Sequence, residues 1–113
     1  MSTAAVQLVF TLSPNAELAQ EIARRLVDLR LAACVNILAP CRSVYEWLGE
    51  RCEEDEGPLL IKTTAACYPV LEATIRQLHP YELPEIVAVD ITQGLPAYLG
   101  WVTSQVDAPA ADC

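Results

Sequence analysis

Several residues in this chain have types and spacings that could support chemistry. The segment His79-Pro80-Tyr81-Glu82-Leu83-Pro84-Glu85 places the only histidine, a phenol and two carboxylates in a stretch stiffened by two prolines. Rigid loops of this kind often hold ligands, although an imidazole there can equally cap the last carbonyls of a helix and do nothing more. Cys34 offers a soft ligand for copper or zinc. A thiol after two alanines is also a residue that cores favour, and the structural role is the simpler expectation. Lys62, the only lysine, could anchor an anionic ligand or form an imine, with an ion pair to a nearby carboxylate as the plainer account.

Glu53-Glu54-Asp55-Glu56, with Glu46 and Glu50 nearby, concentrates carboxylates suited to divalent cations. On a strand only alternate residues share a face, and the run lacks the spaced donors of an EF-hand loop. A solvated ribbon that discourages edge pairing is therefore expected. Cys41 and Cys52 lie on either side of Gly49, and a thiol pair between them is a lesser alternative. No GxSxG, P-loop, HExxH or GxGxxG occurs, and a single histidine without a defined nucleophile argues against a hydrolase.

The whole composition narrows the classes further. The 113 residues form one domain, 1–113, with seven Lys+Arg against fifteen Asp+Glu and a formal charge of −8. Nucleic-acid affinity rests on cations placed against phosphates, and a chain this acidic is not expected to bind DNA or RNA. There is no apolar run of roughly 18 residues, so no membrane-spanning helix is expected. The start, MSTAAVQLVF, lacks a basic region and alternates like a strand rather than a signal peptide, which makes the cytoplasm the expected compartment. Five cysteines without a CxxC pair fit free thiols better than a disulfide framework or a four-ligand zinc knuckle.

These residues must be positioned by elements that the hydropathy pattern outlines. From Ala5 to Ser13, Val6, Leu8, Phe10 and Leu12 fall on one face and Gln7 and Thr11 on the other, the period of a half-buried strand. Ser13 or Asn15 can then cap a helix whose stripe is Leu18, Ile22, Leu26 and Leu29, with Ala19 and Ala23 beside it. Ala33 to Leu48 reads as one long strand kinked at Pro40, which should sit at a bulge or where the strand leaves the sheet. Gly49 allows a turn, and Leu59 to Thr63 returns as its antiparallel partner.

A second helix, capped by Thr63 or Thr64, carries Val70, Leu71, Ile75 and Leu78 and stops by His79-Pro80. The nearly continuous apolar run from Ile86 to Ile91 suggests a central strand covered on both faces. Ala97 to Val106 can form a short helix with Tyr98, Leu99 and Val102 as its apolar side, and the tail from Asp107 to Cys113 is expected to be disordered. The order β-α-β-β-α-β is that of an α+β, ferredoxin-like sandwich with a long projecting β-hairpin. A strand from Ala33 to Leu48 at about 3.3 Å per residue would reach roughly 50 Å, farther than two helices can cover. A projecting ribbon bearing Val44, Tyr45 and Trp47 is marginal alone, so a homo-oligomer is expected in which it packs on the next chain.

Blocks of sequence in this order resemble the CutA family of divalent-cation tolerance proteins. They are Leu31-Ala32-Ala33-Cys34-Val35-Asn36-Ile37, Ser43-x-Tyr45-x-Trp47-x-Gly49, Glu56 with Leu60-Ile61-Lys62-Thr63, His79-Pro80-Tyr81-Glu82-x-Pro84-Glu85-Ile86, and Tyr98-Leu99-x-Trp101. The resemblance implies a ferredoxin-like protomer similar to the PII signalling proteins, assembled as a homotrimer through ribbon and sheet-edge contacts, with Val44, Tyr45, Trp47 and Trp101 as interface candidates. It also implies an association with copper and other divalent metals. Cys34 has no obvious sulfur partners, since Thr11 and Thr74 stand on the neighbouring elements. A metal site would use Cys34 alone or the loop of His79, Glu82 and Glu85, whose imidazole and carboxylates suit zinc or copper(II) more than copper(I).

The function expected from residues and resemblance together is that of a non-enzymatic cytoplasmic homotrimer engaged in tolerance to divalent metal ions. It would need no obligatory cofactor and would bind copper(II) or zinc. A second expectation is a PII-like regulator holding a small anionic ligand in a cleft between subunits, lined by Trp47, Lys62 and Tyr81. A third is a trimeric scaffold whose metal effects are indirect.

Overall fold

A computed structural model describes residues 5–107. The first strand, β1, runs Val6–Ser13 and leads straight into helix α1, Ala16–Asp28. The Asn15 side chain caps that helix by accepting the Leu18 N–H at 2.8 Å. Ala19, Ile22, Ala23 and Leu26 bury the helix stripe, whereas Leu29 stands beyond the last turn as the C-cap and stays exposed.

The expected long kinked strand is two strands, β2, Cys34–Ile37, and β3, Cys41–Trp47. Both pair with one continuous 15-residue strand, β4, Glu50–Thr64, whose outer part carries the acidic run in the ribbon. Ile37 faces Leu59 and Cys41 faces Glu56. Three residues therefore oppose two across the gap, and Pro40 lies in the resulting bulge, where its missing N–H breaks no ladder bond. At the ribbon tip Leu48 and Gly49 both adopt positive φ, 54° and 82°, the geometry of a two-residue type I′ turn between Trp47 and Glu50. The ribbon accounts for the elongated outline of 50 × 31 × 25 Å.

Helix α2, Tyr68–Leu78, starts later than expected: Thr63 and Thr64 belong to β4, and Cys67 is the N-cap. Strand β5, Ile86–Asp90, and helix α3, Pro96–Gln105, follow. Asp107 is held by an N–H bond to the Arg30 carbonyl at 3.0 Å and an ion pair with Arg30 at 2.9 Å. The rest of the tail expected to be disordered, residues 108–113, lies outside the described residues.

The sheet order is β2-β4-β1-β5, all antiparallel, with β3 extending the sheet along β4; this is the ferredoxin-like arrangement. Two expectations about burial change. The apolar run of β5 occupies an edge, paired only with β1, because the split topology places its last strand outside. In β1 the residues that reach zero exposure are Val9, Thr11 and Ser13, on the opposite side from Leu8, Phe10 and Leu12. The core forms on that first side, where Val9, Leu59 and Ile61 meet Ile22, Leu26, Leu71 and Ile75. The register puts Leu8, Phe10, Leu12, Leu60, Val87 and Val89 together on the other side, where Val87 and Val89 are 49% and 60% exposed.

Candidate functional site

Where the ribbon leaves the sheet, period-two alternation sorts its charges. On one side Arg42 reaches Asp55 at 3.1 Å and Glu53 at 3.8 Å, and Arg51 reaches Glu53 at 3.2 Å. The register pairs Tyr45 with Cys52 and Ser43 with Glu54, so these residues, together with Glu56, turn to the other side. Both arginines of the ribbon are thus spent on one face. The other face looks across at the loop of residues 81–85.

That loop is braced in three places. The only histidine, His79, is buried, with Nε2 2.8 Å from the Leu12 carbonyl oxygen. A carbonyl only accepts, so Nε2 carries the proton; Nδ1 in turn accepts the Tyr81 N–H at 3.2 Å. Thr11 Oγ1 donates to the Glu85 carbonyl at 2.7 Å, fixing the far end of the loop to β1. Between these anchors the Tyr81 ring meets the His79 ring edge-on at 4.7 Å, and its hydroxyl donates to Glu54 Oε1 at 3.1 Å. Loop and ribbon are joined through that bond.

Between them lies an open cleft of about 610 Å³ lined by Leu12, Ser43, Val44, Tyr45, Trp47, Cys52, Glu54, Glu56, Tyr81, Glu82, Leu83 and Glu85. Four of these are carboxylates and none is Lys or Arg. Desolvation first, and then the Glu54 carboxylate, push the phenols of Tyr45 and Tyr81 up to about 12. Glu56 is only 6% exposed, and among the described residues its carboxylate takes no hydrogen bond or ion pair.

The structure divides the residues that the sequence singled out. Trp47 and Tyr81 share the cleft, but Lys62 does not: its ammonium bonds the Asn36 side-chain oxygen instead of a carboxylate. Glu82 and Glu85 also line the cleft, whereas His79 stands behind it with both ring nitrogens engaged, leaving no lone pair for a metal. Cys34 faces Lys62, which faces Leu8, roughly 13 Å along the strand from the Leu12 end where His79 is held. Among the described residues no three His, Cys, Asp or Glu side chains are gathered closely enough to hold a metal ion. Cys41 opposes Glu56 and Cys52 opposes Tyr45, so the two thiols are not cross-strand partners, and all four described cysteines are free. Val44, Tyr45, Trp47 and Trp101 remain exposed in the single chain.

Sequence reasoning assigned the acidic run to a solvated ribbon and did not single out Glu54 and Glu56 as the pair that lines the cleft. The signal was present, because alternation along a strand already assigns Glu54 and Glu56 to one face and Glu53 and Asp55 to the other.

The comparisons with known proteins agree with this architecture. Residues 7–105 match the family described as CutA1 divalent ion tolerance protein. The divalent-cation tolerance protein CutA of Thermus thermophilus is 46% identical over 96 residues, which are 85% of this chain and 93% of that protein. Mouse protein CutA is 44% identical over 97 residues, 86% of this chain, and the match spans 55% of the mouse protein's length. A solved structure of the divalent cation tolerance protein (Cut A1) from Thermus thermophilus superposes with a TM-score of 0.88 at 43% identity, covering 90% of this chain and 99% of that one. No helix among the described residues is long and apolar enough to cross a membrane. With a closely superposable fold and a family match over nearly its whole length, the chain belongs to the CutA1 divalent ion tolerance family.

Proposed function

We propose that this protein serves tolerance to divalent metal ions as a non-enzymatic homotrimer in the cytoplasm, binding copper(II) or zinc at sites completed only when chains assemble. The observation that carries this is the uncovered apolar side of the sheet. Leu8, Phe10, Leu12, Leu60, Val87 and Val89 lie on the side that α1 and α2 do not cover; α3 also meets β1 and β4, yet Val87 and Val89 stay 49% and 60% exposed. Neighbouring apolar side chains left partly in solvent on a sheet face support an interface there. The protruding ribbon with Tyr45 and Trp47 supplies a second contact of the same kind.

Metal chemistry fits the assembly better than the single chain. Cys34 is a free, half-buried thiol and Glu82 and Glu85 line the open cleft, while no complete donor set exists among the described residues of one chain. His79 enters such a set only by giving up a bond to Leu12 or Tyr81. Free thiols accord with a reducing compartment. An anionic ligand in the cleft draws no support from its lining, which has four carboxylates and no Lys or Arg.

Native mass spectrometry of the reduced protein, before and after sub-stoichiometric copper(II) or zinc, tests assembly and metal binding together. A trimer that gains about one metal per chain, lost on Cys34→Ala or Glu85→Gln, is the expected result. A monomer, or a trimer that stays metal-free, would overturn the corresponding half of the proposal.

A further inference from the structure

We propose that Cys34 and Lys62 form an oxidant-responsive modification site, in which a peroxide-oxidised Cys34 thiol is captured by the Lys62 amine as a reversible sulfenamide. The starting observation is their register, since Cys34 of β2 stands directly opposite Lys62 of β4. Side chains so opposed share one face of the sheet, with Cβ atoms about 4.5–5.5 Å apart. Two bonds hold the chain at this point. The Ala33 N–H donates to the Lys62 carbonyl at 2.9 Å, and Thr63 Oγ1 donates to the Leu31 carbonyl at 2.6 Å. The juxtaposition of thiol and amine is thus fixed by the backbone on both sides of the pair. Lys62 is the only lysine of a chain with fifteen acidic residues, yet among the described residues no carboxylate lies within ion-pair distance of it. Its ammonium bonds the side-chain oxygen of Asn36, two residues along β2 from Cys34 and on the same side. An amide offers that cation one hydrogen bond and no counter-charge, so the amine is held beside the thiol without being tied in an ion pair.

The other described thiols lack this arrangement. Cys41 opposes Glu56 and Cys52 opposes Tyr45, neither of which carries an amine, and Cys67 is fully buried. Cys34 is free and, like Lys62, half-buried, which leaves it within reach of a small oxidant. With hydrogen peroxide as the oxidant the step balances. The Cys34 sulfur gives up two electrons and takes one oxygen, becoming a sulfenic acid, and the peroxide leaves as water. The Lys62 nitrogen, its extra proton released to solvent, then attacks the sulfur. An N–S bond forms, the S–O bond breaks, and the hydroxyl leaves as water with a proton of the amine. A thiol reductant cleaves the N–S bond and returns both side chains. One consequence rests on the metal-binding reading above: the bond withdraws Cys34 from any metal until it is reduced.

The bond itself needs no metal, so its test is run on the assembled protein with a chelator present. Hydrogen peroxide is added in mildly alkaline buffer, and the product is weighed intact and digested with trypsin without reductant. The expected chain is lighter by about 2 Da, the two hydrogens lost on forming the N–S bond. Trypsin should fail to cut after Lys62, leaving Leu31–Arg42 joined to Cys52–Arg76, and dithiothreitol should restore the cut. In Lys62→Arg the sulfenic acid has no amine to meet, so dimedone should label Cys34 there and leave the wild-type residue largely unlabelled. Cys34→Ser should lose both the bond and the label. Cutting after Lys62 in the oxidised protein would overturn the proposal, because a disulfide gives the same mass loss without protecting the lysine. So would equal dimedone labelling of wild type and Lys62→Arg, or an unchanged mass, which is the outcome when a neighbouring copy shields the pair. Metal uptake by the reduced protein is read separately by native mass spectrometry, so failure of either proposal leaves the other standing.

Discussion

The two sides of the sheet are built from the same apolar residue types and meet opposite fates. On the helix side Val9, Leu59 and Ile61 are fully buried against α1 and α2. On the other side Leu60 is half-buried, and Val87 and Val89 stand mostly in solvent. Hydrophobicity therefore says that a surface is to be covered without saying by what. One side is completed by α1 and α2, and the other, continuous with the cleft face of the ribbon, keeps Val87 and Val89 in solvent in the single chain.

The sharpest challenge to that contrast comes from adjacent residues of β4. Ile61→Ala should lower stability by about 2–5 kcal/mol in urea unfolding, because it leaves a cavity in a packed core. Leu60→Ala should cost the single chain less than half as much, and equal losses would erase the distinction between the two sides. Next in size is Val89→Asp, which places a charge on the open side. It should convert the assembly to a species of 12.3 kDa in light scattering while far-ultraviolet circular dichroism keeps its helix signal.

Smaller effects sharpen the picture at the junction with the ribbon. His79→Ala leaves the Leu12 carbonyl and the Tyr81 N–H without their partners and should cost about 1–3 kcal/mol, measured by thermal unfolding. Leu48→Asn relieves an α-left conformation that a bulky side chain tolerates poorly, and should raise stability by about 0.5–1 kcal/mol without changing the assembled mass. The weakest effect is expected at alkaline pH. Tyr45 and Tyr81 ionise near 10 when unfolded and at about 12 when folded, so between those values the folded state holds more protons. Stability should fall as pH rises from 10 to about 12 and level off above. Phenolate absorbance should show this late titration, and Tyr81→Phe should remove part of it.

Much of the architecture was legible because it follows short-range rules. The stripe of α1 at spacings of three and four, the strand alternation in β1, the interruption at Pro40 and the turn at Gly49 each appear where the pattern places them. The failures share one cause. In β1 the alternation of Leu8, Phe10 and Leu12 was legible, but the helices took the other side, with Thr11 and Ser13 buried and bonded to Glu85 and Asn15 backbone oxygens. In β5 an apolar run that reads as central lies at an edge, because the order of strands is a property of chain tracing and not of strand composition.

The candidate site divides in the same way. Residue types and periodicity of two and 3.6 settle which elements form, which side chains alternate and where the chain must turn, since those depend on neighbours a few residues apart. No such rule brings Glu54 and Glu56 opposite Tyr81, leaves Cys34 far from His79, or commits both nitrogens of His79 to backbone groups. Most of these pairings join residues dozens of positions apart. They are decided by the closure of the ribbon onto the sheet and the bracing of one loop, where packing of the whole chain sets the distances.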